Sequence, residues 1–164
     1  MSSKAMADFI MGKVRGCTEA GEANYNLFNA LCDYCEKEME INYGWVGLDP
    51  MSVPDPETSI VCSVKATGSI SPCGGNTAES ALSVFGNNLN SQISLWQVVW
   101  PSGFSLSPAL IIPNIVLSPT YAETMEEAWE GLCSQIIKGL KVATPAATGT
   151  HSSFTGSATF ISIS

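Results

Sequence analysis

Charge is what this sequence has least of. Asp, Glu, Lys and Arg make up 13% of the chain, about half the usual ~25%. None of the four occurs between Ser80 and Ala122, where an average composition would place about ten. A surface this poor in charge favours burial against other chains over free solution. Histidine is scarcer still. His151 is the only one, which makes a Ser-His-Asp or Cys-His catalytic set hard to assemble. Close ligand pairs are missing too: Cys32 and Cys35 stand alone as a short-range pair, whereas a zinc site needs a second pair to answer it.

Long apolar runs are also absent. The longest, "ALIIPNIVL", is interrupted by Pro113 and falls far short of the roughly 20 residues that cross a bilayer as a helix. The N-terminal "MSSKAMADFIMGKV" places Lys4 and Asp8 where a secretory signal needs an unbroken apolar core, so no such signal is expected. Basic residues are few. Seven Lys and Arg against 15 Asp and Glu give a formal charge of −8, and all the acids but Glu79 fall in two blocks, Asp8 to Glu57 and Glu123 to Glu130. That balance disfavours a groove for phosphates, and no nucleic-acid partner is expected. The glycines of "CGG" and "GNN" lack the following Lys-Ser/Thr of a phosphate-binding loop.

At 164 residues the chain suits one domain. The reading here is a body over 1–143 and an extended C-terminal arm over 144–164. Met6, Phe9, Ile10, Val14 and Cys17 recur at helical intervals, as do Ala20, Ala23, Leu27, Leu31, Tyr34 and Ile41, with Gly16 and Gly21 weakening the joint between the two helices. A second apolar row on the later helix, Phe28, Cys32, Cys35 and Met39, widens its stripe beyond one core-facing side, so one side is expected to meet another subunit. "GWVGLDPMSVPDPE" reads as a loop, and "TSIVCSVKAT" as a half-buried strand through its strict alternation. Asn76 or Thr77 caps a helix through Leu82, Phe85 and Leu89; "ISLWQVVW" either extends it, to about Trp96, or begins a strand. The prolines at 108, 113 and 119 make the next segment an extended strap. Thr120 with Glu123 forms a capping box for a helix along Met125, Trp129, Leu132, Ile136 and Leu140. The expected fold class is therefore α+β, mainly helical: three or four helices with a small β element, a Pro-rich extended strap and an extended C-terminal arm.

Six cysteines, at 17, 32, 35, 62, 73 and 133, are irregularly spaced and read as reduced thiols packed in apolar patterns. The Glu groups of both acidic blocks read as solvated helix faces. Trp45, Trp96, Trp100, Phe104 and Trp129 serve equally as pocket walls, core anchors or interface anchors. The residues expected to carry intersubunit contacts are Trp96, Trp100, Phe104, Leu110, Ile111 and Ile112 in the strap, and Phe154, Phe160, Ile161 and Ile163 in the arm.

An acidic helical body joined to an uncharged Ser/Thr/Gly-rich arm ending "GTHSSFTGSATFISIS" resembles small virion structural proteins of tailed bacteriophages, those of tails, baseplates and head-tail junctions. The resemblance implies a non-enzymatic subunit of a multi-copy particle, a homo-oligomer that meets other virion proteins, assembled in the host cytoplasm and resident in the virion. It implies no cofactor and assigns no residue a role. The competing expectation is an intracellular thiol-redox or metal-binding protein built on Cys32 and Cys35.

Overall fold

The computed structural model describes residues 1–70, 77–142 and 144–164. Along these the chain runs α1 (Ser3–Val14), α2 (Ala20–Glu38), β1 (Ile41–Leu48), β2 (Ser59–Lys65), α3 (Ala78–Ile93), β3 (Gln97–Val99), β4 (Phe104–Ser107), α4 (Met125–Leu140), β5 (Ala147–His151) and β6 (Phe154–Ile163). All six strands join one antiparallel sheet in the order β3-β2-β1-β6-β5-β4. This corrects the expectation of a mainly helical fold with a small β element and an extended arm. Residues 147–163 form a hairpin whose second strand pairs with β1 from Ile41↔Ile163 to Leu48↔Thr155. The apolar arm therefore finds its partner strand in its own chain, where closing the pairing costs no association entropy.

β1 was hidden behind its glycines. "INYGWVGL" alternates Ile41, Tyr43, Trp45 and Gly47 inward with Asn42, Gly44, Val46 and Leu48 on the other face, and two glycines in a strand read as a turn. Their reason is close approach. Gly47, Gly156 and Gly149 lie in one row across β1, β6 and β5. A Cβ on Gly156 would sit 1.8 Å from the Val46 carbonyl oxygen, and one on Gly149 would sit 2.0 Å from that of Ser105. The row lets the sheet bend sharply. It curls until the segment after β4 reaches β3: the Val98 N–H donates to the Ala109 carbonyl at 3.2 Å, and Gln97 bridges Leu110.

Helix boundaries follow local chemistry. Ser2 caps α1, accepting from the Ala5 N–H at 3.3 Å, and Gly16 takes a positive φ of 91° just past its end. α2 stops at Glu38 because Met39 turns extended, short of the expected Ile41, which opens β1. Thr77 caps α3, but that helix ends at Ile93 and not near Trp96, since the β-branched Val98 and Val99 pair with β2. The cap of α4 is Thr124, accepting from the Glu127 N–H, while Glu127 reaches back to the Glu123 N–H. The capping box thus lies four residues beyond the expected Thr120.

The wide stripe of α2 is covered from within. Phe9 of α1 meets Tyr34 on one side, and Phe28 meets Trp96 on the other. One core runs from Met6 and Ile10 of α1 through Leu31 and Cys35 to Ile60, Leu89 and Ile136. The strap lies between α3 and α4, with Ile111, Pro113, Ile115 and Leu117 buried and Ile112, Asn114, Val116 and Ser118 outward. Two amide side chains replace the missing neighbour strands. Asn90 donates to the Ile115 carbonyl at 2.8 Å and accepts its N–H at 2.7 Å; Gln135 does the same for Ser118. The Asn114 N–H donates to the Gly139 carbonyl, so the buried half of the uncharged region is held by the protein's own helices.

Gly139→Ala would put a Cβ 2.5 Å from the Ile115 Cα, and is expected to cost about 1–3 kcal/mol through displacement of the strap. Asn90→Ala is expected to cost about 1–2 kcal/mol by orphaning both Ile115 backbone groups. Urea denaturation of both variants checks this; wild-type midpoints would mean the strap is not fastened there.

Candidate interaction surface

Alternation along the strands sends one set of side chains to the core and the other to the open face of the sheet. On that open face β4, β5 and β6 present Ser105, Ser107, Thr148, Thr150, Thr155, Ser157 and Thr159, all exposed. Register aligns them into rows: Ser107, Thr148, Ser157 and Val46 in one, Ser105, Thr150, Thr155 and Leu48 in the next. β2 and β3 add Ser59, Val61, Ser63, Lys65, Gln97 and Val99. Lys65 is the single ionisable side chain that the strands place on this face. Its apolar centre is Val46, 71% exposed, with Ile161, 62% exposed. The β1–β6 register shifts beside Ile161, a bulge that turns this side chain outward, and its Cδ1 lies over Gly44.

The residues expected at intersubunit contacts divide three ways. Trp96, Ile111 and Ile163 are buried in the core. Trp100, Phe104, Phe154 and Phe160 are half-buried on the inner side of the sheet, where Tyr43 lies 4.9 Å from Trp100 and 6.2 Å from Phe160 between ring centres. Leu110, Ile112 and Ile161 are exposed. The structure brings Ile161 together with Val46 and Val61, which sequence reasoning did not single out. Val46 sits in the part of β1 that reads as a loop, whereas Val61 stands on the second face of the strand expected from "TSIVCSVKAT".

A second cluster was also missed. Asp55, from the loop between β1 and β2, is buried, and its Oδ2 accepts from Trp45 Nε1 at 2.9 Å and faces His151 Nδ1 at 2.5 Å. Its Oδ1 accepts from the Glu57 N–H, and its own N–H donates to the Gly47 carbonyl. Burial raises the carboxyl pKa, but the hydrogen bonds from His151, the Glu57 N–H and Trp45 together outweigh it and hold the group below the ordinary aspartate value. The imidazole stacks on Phe104 at 4.0 Å and faces Phe154 on β6. A carboxylate orienting an imidazole is two-thirds of a hydrolytic triad. The pair ties the β1–β2 loop to the β5–β6 hairpin. Nothing in the sequence pointed to it, since the two residues stand 96 positions apart.

The thiols are inert by environment. Burial pushes Cys32, Cys62 and Cys133 up to about 12, and raises Cys35 further in the same direction. Cys32 and Cys35 lie in the C-terminal half of α2, away from the helix N-terminus that would favour a thiolate. Cys17 is half-buried, accepting from Asn26 Nδ2; the expectation for Cys73 falls outside the described residues. Among the described residues no three His, Cys, Asp or Glu side chains are placed to hold a metal, and no helix is long and apolar enough to cross a membrane. Comparison with protein-family models, curated proteins and solved structures finds no match to this chain.

Two outcomes follow from this chemistry. A carboxyl with a lowered folded pKa stabilises the fold above its unfolded value of about 4 and ceases to as pH falls toward the folded value. Acid unfolding monitored by Trp fluorescence should therefore steepen below about pH 4, and Asp55→Ala should remove that part of the slope while costing about 2–4 kcal/mol at neutral pH. With an aromatic disulfide reagent and peptide mass spectrometry, Cys17 should react in the native protein, whereas Cys32, Cys35, Cys62 and Cys133 should react only as fast as the protein unfolds. Rapid native labelling of Cys32 or Cys35 would contradict their assignment as packing groups.

Proposed function

We propose that this protein is a non-enzymatic structural subunit of a multi-copy particle, a virion component of the tailed-phage kind, and that copies meet through the open face of the sheet. The observation that carries this reading is where the charge is absent. A chain with formal charge −8 repels its own copies wherever acids face each other. The acids crowd the helices, as Asp33, Glu36 and Glu38 on α2 and Glu126, Glu127 and Glu130 on α4, whereas the strands present only Lys65. Self-association is least opposed at the sheet. Val46, Val61 and Ile161 supply an apolar centre and the Ser and Thr rows a polar rim, the division usual in interfaces.

The geometry favours contact by face over contact by edge. β3 and β4 are short, and the segment after β4 already bridges β3, which leaves little free edge for strand addition. The rival reading, thiol or metal chemistry at Cys32 and Cys35, is weakened by the burial and raised pKa of both groups.

Light scattering coupled to size-exclusion chromatography tests the proposal. A closed oligomer or longer assembly is expected for the wild type, and electron micrographs should show rings or tubes. Val46→Lys combined with Ile161→Lys should give a folded protein of lower mass, because both side chains are exposed and neither supports the core. A wild type that stays monomeric at every concentration would end the proposal.

A further inference from the structure

The amphipathic stripe of α4 continues past the core that uses it. In its C-terminal half Cys133, Ile136, Ile137 and Leu140 are buried, but in its first two turns Met125 is 66% exposed, and Trp129 and Leu132 are only half-buried. There a hollow of about 320 Å³ lies between Leu82 of α3, Ser118, Pro119 and Thr120 at the end of the strap, and Met125, Ala128, Trp129, Leu132 and Gln135 of α4. On the opposite flank of Trp129 a second hollow of about 250 Å³ is lined by Met11 and Val14 of α1 together with Arg15, Met125 and Glu126. The result is an apolar ridge with a depression on each side, open to solvent. Glu126 lines the second hollow beside Arg15, and Glu123, Glu127 and Glu130 are exposed on the same stretch of chain. Among the described residues none of the four forms an ion pair; the pairs present are Lys4 with Asp8 and His151 with Asp55.

We propose that the start of α4 is a docking groove for a cationic amphipathic segment of a different protein, one face Leu- or Phe-like and the other rich in Lys or Arg. The apolar hollows match the spaced anchors of a helix lying in a groove, and the acidic start of α4, whose exposed carboxylates outnumber the neighbouring Arg15, matches its basic face. Helix-dipole complementarity accounts for acids in a first turn, but it gives no reason for an uncovered Trp and Met between them. A second copy of this chain does not supply the occupant, since its seven Lys and Arg are scattered and its open sheet face carries only Lys65. In a multi-copy particle the groove would recruit a neighbour of another kind. The inference stands apart from self-association through the sheet, because a monomer would bind the segment equally well.

The probe is a fluorescein-labelled Lys/Leu peptide of about five turns (~18 residues), patterned as an amphipathic helix. It is compared by fluorescence anisotropy with a scrambled peptide of the same composition and with a Glu/Leu counterpart. The patterned cationic peptide is expected to bind at least roughly tenfold more tightly than either control and to weaken as salt is raised. Met125→Asp and Ala128→Trp alter exposed positions, and each should weaken binding by roughly tenfold while circular dichroism stays unchanged. Glu126→Gln with Glu130→Gln should weaken it and flatten the salt dependence. Equal binding of the scrambled peptide would reduce the effect to general attraction by an acidic protein, and wild-type affinity in Met125→Asp and Ala128→Trp would remove the groove; either result overturns the proposal. The Val46→Lys, Ile161→Lys protein should bind the peptide like the wild type, so the two proposals fail separately.

Discussion

The antiparallel pairing of β1 with β6 brings residues 41–48 against 155–163, and the remaining architecture is arranged around that long ladder. Each partner then carries its own hairpin-like neighbour outward, β2 beside β1 and β5 beside β6. The pairing is possible because Gly47, Gly156 and Gly149 remove every Cβ from the row where the backbones close on one another. The same row sets the curl. Curl in turn brings the strand ends together, turns Trp45 over Gly47, and positions the Asp55 loop where it can take the indole and His151 hydrogen bonds. A polar cluster with this much burial is stable because both carboxylate oxygens of Asp55 have donors.

Charge is partitioned between the two layers. Most acids lie on the helices and in the segments flanking β1 and β2, and the sheet's open face is a field of hydroxyls with a small aliphatic centre. A protein with this division has two surfaces of different chemistry: a sheet face on which the strands present one ionisable side chain, Lys65, and a helix start where exposed carboxylates lie near apolar hollows. The proposed assembly role and the proposed cationic partner use different faces, so neither excludes the other.

The strap shows how an uncharged, proline-broken segment can be held without regular structure. Prolines 108, 113 and 119 remove donors and deny it helix or interior strand geometry. The backbone groups of Ile115 and Ser118 are met by Asn90 and Gln135, side chains that carry a donor and an acceptor in the spacing of a peptide group, and the Asn114 N–H is met by the Gly139 carbonyl. Gly86 and Gly139 keep the two helices flat enough for it to pass. Charge depletion in this region thus reflects, in its buried half, service to the chain's own core.

Local chemistry made the helices legible, because a 3.6-residue stripe is written in adjacent residues: Met6 and Ile10 behind the cap Ser2, Leu27 and Leu31 in α2, Leu89 behind the cap Thr77, Ile136 and Leu140 in α4. The alternation of Ile60, Cys62 and Val64 was legible for the same reason. What stayed hidden depended on residues far apart. "INYGWVGL" and "SFTGSATFISI" each read as loop or arm alone, since glycine in a strand has a purpose only when the neighbouring backbone is known. The open sheet face could not be read until β1, β5 and β6 were placed side by side, and the Asp55–His151 pair needed the same closure. Sequence by itself determined the helices, the reduced character of the buried thiols and the scarcity of charge. Tertiary structure alone decided which strands pair, and hence which uncharged residues line the core and which face outward, because strand pairing is a contract between distant segments and side-chain period fixes only that two faces exist.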